Sequence, residues 1–127
     1  MVDVICDTSF LIHLANHRIK NLETLDTDIG IVKFLVPDTV ILELENLAKK
    51  EKKTKEATNT IHHIKNFKQI KIGGIFADES ILNYIKENGG IVATIDKELK
   101  YKIKNFGGSV ISIANNRIVL EAAKSLT

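Results

Sequence analysis

Short runs of apolar, largely β-branched residues alternate with helical patterns about five times along this 127-residue chain. Such runs are typical of buried parallel strands, and helices between them are the usual crossovers. The pattern predicts an α/β fold, a three-layer α/β/α sandwich whose parallel sheet has four or five strands, within a single domain over 1–127. The predicted strands lie at 2–6, 31–36, 70–72, 91–95 and 110–113.

The helical pattern, caps and turn residues predict the segments between these strands. The lysine-rich stretch 49–57 is either a loop or the start of a helix, and 115–127 is either an edge strand or a helix. The predicted helices are Thr8–Asn16, a shorter stretch Ile19–Leu25, one capped by Asp38 or Thr39 and carrying Val40, Ile41, Leu44, Leu47 and Ala48, then Thr54–Phe67, 78–87 and a lysine-rich helix after Asp96.

The composition excludes several classes of protein. A single cysteine, Cys6, rules out a disulfide framework and a thiolate zinc site, and it reads as a small core residue. The four histidines lack a zinc-binding spacing. No apolar run approaches the roughly 20 residues of a membrane span, and the first residues do not resemble a signal peptide, so we expect a cytoplasmic protein with no membrane partner.

The net charge of +2 is too small to indicate nucleic-acid binding by itself. The lysines are nevertheless clustered in two segments, and each cluster is either a solvated helix face or a phosphate-binding patch. The clusters comprise Lys49, Lys50, Lys52, Lys53 and Lys55, and Lys97, Lys100, Lys102 and Lys104.

Two aspartates directly follow buried strands and open helices. Asp7 ends the run Val2–Cys6, and Asp96 ends the run at 91–95. The carboxyl ends of parallel strands share one edge of a sheet, where the active sites of α/β folds lie. Helix N-caps are the ordinary use of such aspartates, so the question is whether further acids reach the same edge.

Further acids come from two predicted helices. Asp78 lies in line with Ile81, Leu82 and Ile85, so we expect it to point along the buried stripe, although it also suits an N-cap. Glu43 and Glu45 flank the apolar stripe of their helix almost symmetrically, and periodicity does not choose between them.

Carboxylates brought together at this edge would repel one another. At about 5 Å, each pair costs roughly 3 kcal/mol at an effective dielectric constant of about 20. Without a cation, the cluster would raise its own pKa values or spread apart. A divalent ion relieves the repulsion, and all-oxygen ligation selects hard ions such as Mg²⁺ or Mn²⁺.

The order VICDTSFLI, VPDTVILELENLAK and ADESILNYIKENGGIVATIDKELKYKIKNFG resembles the PIN-domain ribonucleases over nearly the whole chain. In that family, an Asp ending the first strand, a Glu in a V-x-x-E-L helix, an Asp opening a later helix and an Asp in T-x-D-x-x-L form the metal site. The resemblance places these on Asp7, Glu43, Asp78 and Asp96, and so selects Glu43 over Glu45.

The resemblance also implies supporting roles for three hydroxyls. Thr8, Ser9 and Thr94 match small hydroxyl positions that orient the acids or the metal-bound water, whereas Ile95 departs from the small or polar residue of many relatives. The implied activity is Mg²⁺- or Mn²⁺-dependent hydrolysis of RNA phosphodiesters by metal-activated water.

The implied partners are an RNA substrate, a second copy of the chain in a homodimer and, for a toxin of the VapC type, an antitoxin protein. The small PIN proteins also include relatives of ribosomal-RNA-processing nucleases. The lysines expected to hold the RNA backbone are Lys49, Lys50, Lys52, Lys53, Lys97 and Lys100.

Two other functions compete with a nuclease. A non-catalytic RNA- or protein-binding module would keep the fold, but a binding module for a polyanion gains nothing from an acidic cleft. A phosphotransfer or phosphatase domain built on Asp7 would want D-x-D after the first strand, where this chain has Thr8 and Ser9.

Overall fold

A computed structural model describes residues 2–24 and 30–121. Its centre is a six-stranded sheet in the order β3-β2-β1-β4-β5-β6, in which only β6 is antiparallel to its neighbour. The strands are β1 Val2–Cys6, β2 Val32–Pro37, β3 Lys68–Ile70, β4 Ile91–Ala93, β5 Ser109–Ala114 and β6 Arg117–Glu121.

Five helices of the described residues connect and cover these strands. Helices α1, α2 and α3 contact one another, and α4 packs with α5. Within the described ranges, none of them is long and apolar enough to cross a bilayer. The helices are α1 Thr8–Asn16, α2 Asp38–Ala48, α3 Thr54–His63, α4 Ala77–Asn88 and α5 Lys97–Asn105.

The central strand β1 carries the middle of the core. Val4, Ile5 and Cys6 are almost completely buried because β1 has strands on both sides and helices over it. Phe10 and Leu11 on α1 are also fully buried. This packing fixes the end of β1 and the start of α1, where Asp7 lies.

The predicted α/β/α sandwich is confirmed, but the sheet has six strands rather than four or five, and it is mostly rather than wholly parallel. The additional strand is β6, which decides the ambiguity of the last segment in favour of an edge strand as far as residue 121; residues 122–127 lie outside the described part. Asn115 and Asn116 adopt positive φ angles of 53° and 58°, which suit the tight turn before β6.

The helix predicted at Ile19–Leu25 is wrong over its described residues 19–24, which form turns, and Leu25 lies outside the described residues. The cause is tertiary. The Asn21 amide nitrogen donates to the Ile118 carbonyl (2.9 Å), while the Ile118 amide donates to Asn21 Oδ1 (2.8 Å). The Lys20 amide also donates to the Asn116 carbonyl (2.8 Å), so tertiary bonds hold this segment against β6 and the turn before it instead of in a helix.

The bounds of β3 and α3 also differ from the predictions. Strand β3 is Lys68–Ile70 instead of 70–72, because it pairs with 35–37 of β2 and the Ile72 amide donates to Asp38 Oδ1 (3.1 Å). Helix α3 ends at His63 instead of Phe67, since a tight turn closes with the Phe67 amide donating to the Ile64 carbonyl.

The start of α2 also corrects an expected cap. Neither Asp38 nor Thr39 is the N-cap; Pro37 occupies that position with no side-chain cap bond. The carboxylate of Asp38 instead receives the Ile72 amide on the neighbouring loop. The lysine-rich segment that follows α2 is a turn over 49–53, and α3 begins only at Thr54.

Candidate active site

Asp7 lies at the carboxyl end of β1 and is the N-cap of α1. Its Oδ1 accepts the Phe10 amide (2.8 Å), so the ordinary cap role is present. The carboxylate also receives the Ser9 hydroxyl (2.9 and 3.0 Å to its two oxygens) and the Thr94 hydroxyl. A cap alone needs only the first of these bonds, so Asp7 is held by more groups than a cap requires.

Backbone amides fix the direction of both hydroxyls. The Ile95 amide donates to Ser9 Oγ (3.3 Å), and the Asp96 amide donates to Thr94 Oγ1 (3.0 Å). Each hydroxyl is therefore an acceptor from the β4–α5 loop and a donor to Asp7. Strand β4 ends at Ala93 rather than at the predicted residue 95. The Thr94 amide still donates to the Ile111 carbonyl of β5 (2.9 Å), but the amides of Ile95 and Asp96 donate to the two hydroxyls of the site instead of to the sheet.

Asp96 reaches the same edge from the neighbouring strand, as predicted, because β1 and β4 pair in parallel. It is the N-cap of α5, with Oδ1 accepting the Leu99 amide (3.0 Å). Thr94 bridges the two aspartates, since its hydroxyl donates to Asp7 and accepts the amide of Asp96.

Asp78 corrects both predictions made for it. It is not an N-cap, because α4 begins at Ala77 after Phe76, and it is exposed rather than aligned with the buried stripe. The buried positions of this first turn are Ala77 and Ser80. Asp78 instead stands beside the other acids. Partial burial raises its pKa, the charge of Asp96 raises it further, and Lys102 opposes both effects.

Glu43 on α2 shares a cavity with Asp78. Partial burial and then the charge of Asp78 raise the pKa of Glu43, whereas the Thr8 hydroxyl beside it lowers this pKa. Glu45 is exposed on the same helix and does not line this cavity. Periodicity could not separate the two glutamates; the tertiary structure brings Glu43 to Asp78.

Asp7 has the most strongly perturbed carboxyl. Burial raises its pKa from 3.8 to about 6; the bonds from Thr94, Phe10 and Ser9 oppose the shift, and the charge of Asp78 adds to it. Asp78 thus acts electrostatically on Asp7 and Glu43 and itself senses Asp96. Four acids from separate parts of the chain form one interacting group.

Residues 4–116 match the family described as PIN like domain. The chain belongs to this family. A curated relative, ribonuclease VapC4 of Methanocaldococcus jannaschii, is 41% identical over 112 residues, which is 81% of this chain and 83% of that protein.

Solved structures agree with this PIN-like assignment. The PIN domain endonuclease Utp24 superposes with a TM-score of 0.76 and 26% identity, over 96% of each chain. A domain of a functionally unknown protein from Methanocaldococcus jannaschii has a TM-score of 0.58 at 23% identity, over 100% of this chain and 96% of that one, and this likeness concerns the fold alone.

The donor chemistry of this PIN-like site fits a hard divalent cation. The acids provide only oxygen ligands, and the pKa values of Asp7, Glu43 and Asp78 are raised, which an added positive charge would reverse. Thr8 Oγ1 is buried beside Glu43 without a hydrogen bond of good geometry. In the described part of the chain, no three His, Cys, Asp or Glu side chains lie close enough to hold a metal as they stand. Repelling carboxylates are expected to stay apart until a cation draws them together.

The lysines expected to hold RNA occupy different surroundings. Lys49, Lys50, Lys52 and Lys53 lie at the turn after α2 and are exposed, and Lys97 is the exposed first residue of α5. Lys100 is instead paired with Glu121 Oε2 (2.9 Å), which ties α5 to the edge strand.

Two features near the acids were not predicted: the contacts of Lys102, which belongs to the predicted lysine cluster on α5, and the exposure of Phe76. Lys102 lowers the pKa of Asp78 and pairs with Glu98 (3.2 Å). Phe76, directly before α4, exposes 68% of its surface beside Asp78. The spacing of i and i+4 on α5 could have identified the Lys102–Glu98 pair, but an exposed Phe in a loop has no periodic signal.

Proposed function

We propose that this protein is a divalent-metal-dependent endoribonuclease that hydrolyses RNA phosphodiesters with water as the nucleophile. The main support is a group of four acids that interact with one another, three of which have raised pKa values. The similarity to ribonuclease VapC4 supports RNA as the substrate class. A group of acids with raised pKa values in a cleft is typical of a functional site.

Asp7, Glu43, Asp78 and Asp96 are the proposed ligands, for Mg²⁺ or Mn²⁺. When bound, such an ion neutralises the acids, activates water and stabilises the leaving oxygen. The protein's own contribution is to hold Asp7 in place. The hydroxyls of Ser9 and Thr94 donate to the Asp7 carboxylate and so favour its ionised form. The amide of Phe10 also donates to this carboxylate and fixes it at the start of α1.

Exposed lysines are the proposed contacts to the RNA backbone. Lys49, Lys50, Lys52, Lys53 and Lys97 would bind phosphates with little base specificity, and Lys100 would do so after leaving Glu121. Four expectations from the sequence stay predictions: a single domain, cytoplasmic localisation, a homodimer and an antitoxin partner.

The test measures cleavage of end-labelled single-stranded RNA by the parent and four variants, Asp7→Asn, Glu43→Gln, Asp78→Asn and Asp96→Asn. Cleavage by the parent should require Mg²⁺ or Mn²⁺ and stop in excess chelator. Each variant should lose at least about 10- to 100-fold in rate, since it lacks a proposed ligand and loss of even an outer-shell partner costs that much.

Glu45→Gln is the matched control, because it removes the same charge from the same helix outside the cavity. It should cleave like the parent. RNA that is bound but never cut with any divalent ion would favour the binding module and contradict the nuclease.

A further inference from the structure

Three large apolar side chains are exposed next to the proposed acids. Ile75 and Phe76 expose 81% and 68% of their surfaces in the loop before α4, and Leu42 exposes 55% on α2. Single exposed apolar residues are common, but these three line one cavity. A shared apolar wall beside a polar cleft indicates a surface that binds something.

We call this space the Phe76 cavity. It has a volume of about 490 Å³, within the range of roughly 300–1,000 Å³ typical of small-molecule sites. Its lining combines the apolar wall of Leu42, Ile75 and Phe76 with Asn46, Glu43 and Asp78. No lysine or arginine among the described residues lines it, so it favours a neutral, planar group over a phosphate.

A second cavity that Phe76 also lines has different chemistry. This second cavity, of about 410 Å³, is lined by Phe76, Asp78, Leu82, Glu98 and Lys102. Lys102 lies close enough to Asp78 to lower its pKa. Phe76 and Asp78 therefore line both cavities, one with a lysine in its lining and one without a lysine or arginine among the described residues.

We propose that the Phe76 cavity binds an unpaired nucleobase of the RNA next to the phosphodiester that is cut. The base stacks on the Phe76 ring, and the Asn46 amide hydrogen bonds to the base edge. The strand continues toward Lys102, which contacts a phosphate. This inference rests on the proposed function, and it restricts the substrate to RNA whose bases are free to leave a stack.

The Phe76 side chain can be tested separately from the fold, because the hydrogen bonds that Phe76 makes at the start of α4 involve only its backbone carbonyl. Its carbonyl accepts the amide (3.0 Å) and the hydroxyl (2.8 Å) of Ser80, and Phe76→Ala keeps both bonds. Phe106→Ala is the matched control. Phe106 is also about half exposed, but it lies at the end of α5 under Lys86, 4.4 Å from its ring centroid, outside the cavity.

The experiment uses short single-stranded RNAs that carry 2-aminopurine, whose fluorescence is quenched on stacking. Binding is measured with Ca²⁺, and initial cleavage rates are measured with Mn²⁺. Phe76→Ala should weaken binding by about 5- to 150-fold and abolish the quenching, because one base–aromatic stack is lost. In the cleavage assay, Phe76→Ala should raise KM and leave kcat nearly unchanged. Phe76→Tyr should retain binding, and Asn46→Ala should flatten the differences in rate among the four bases.

Four outcomes separate the inference from the function. Cleavage by the parent together with loss of binding in Phe76→Ala, but not in Phe106→Ala, supports both. Cleavage with unchanged quenching in Phe76→Ala overturns the base pocket and leaves the nuclease. Quenching without cleavage supports the pocket and contradicts the nuclease. Self-association in ultracentrifugation that Phe76→Ala abolishes while RNA binding is unchanged assigns this face to a second copy and overturns the proposal.

Discussion

At the scale of single residues, Asp7 shows that a helix cap and a proposed catalytic acid can be the same side chain. The cap bond from Phe10 satisfies one amide of α1, but Asp7 is only 2% exposed and carries a pKa of about 6. The bonds from Ser9 and Thr94 do not fully offset the loss of solvation. The ionised form of Asp7 therefore destabilises the metal-free fold.

Asp7→Asn should stabilise the metal-free protein at pH 8. The folded state binds the Asp7 proton more tightly than the unfolded state, so the parent loses stability as the pH rises from 3.8 through about 6. This difference in pKa corresponds to about 3 kcal/mol, and Asn, which caps about as well as Asp, avoids it. In metal-free thermal melts, the gain in Tm should be largest at pH 8 and shrink toward zero near pH 4.

Asp3→Asn is the control for this prediction, since Asp3 lies exposed on the same strand. It should change Tm little at any pH. A gain for Asp7→Asn that does not depend on pH would contradict the raised pKa. Mn²⁺ should reverse the order of stability, because only the parent keeps all four proposed ligands.

At the scale of elements, the loop between β3 and α4 places Phe76 and Asp78. Gly73 and Gly74 both adopt positive φ angles, 76° and 89°, which side chains rarely tolerate. They differ in the space around them. A Cβ on Gly73 would meet nothing within 4 Å, whereas a Cβ on Gly74 would lie 2.2 Å from Ser80 Oγ.

Gly74→Ala should therefore destabilise the protein more than Gly73→Ala, by about 1 kcal/mol. Both substitutions carry the backbone strain, but only the first forces Ser80 to give up its hydrogen bond to the Phe76 carbonyl. Urea denaturation of the two variants measures the difference directly. Equal destabilisation would mean that Ser80 turns away at no cost.

At the scale of the whole molecule, positive and negative charges are distributed unevenly over the surface. The net charge is only +2, yet acids gather in the cleft and exposed lysines follow α2 and begin α5. Part of the positive charge on α5 is neutralised within the fold. Glu121 on β6 binds Lys100 (2.9 Å) and Lys104 (2.6 Å), and these bonds lower the pKa of Glu121.

Glu121→Gln should strengthen RNA binding and make it more sensitive to salt. Two freed lysines would each add about 0.7 to the slope of log affinity against log salt for a single strand. Stability should fall only by about 0.5–1 kcal/mol near pH 7, because the pairs are partly exposed. That contribution is present above the ordinary pKa of Glu and disappears as the pH falls through the lowered value.

Glu56→Gln supplies the control, since it removes the same charge from the exposed surface of α3. The two variants have the same net charge, so titrations at several salt concentrations separate freed lysines from a general change in charge. An identical rise in affinity and slope for both variants would contradict a specific role of Lys100 and Lys104.

The sequence alone determined the features that depend on short-range order. Strand runs followed at once by an acid located Asp7 and Asp96 at one edge of a parallel sheet, because residue spacing fixes which end of a strand a residue occupies. The order of the motifs indicated the PIN-domain family, and residues 4–116 match the PIN like domain family.

Only the tertiary structure decided what depends on contacts between distant segments. Lys100 is paired with Glu121, and Asn21 bonds to β6 where a helix was predicted. Glu43, which the family resemblance selected but periodicity did not, shares a cavity with Asp78. Helical periodicity gives the same prediction for residues on both sides of an apolar stripe, because it carries no information on where the contacting segment lies. The site is likewise completed by Thr94, 87 residues from Asp7 in the chain, and only folding brings that hydroxyl to the carboxylate.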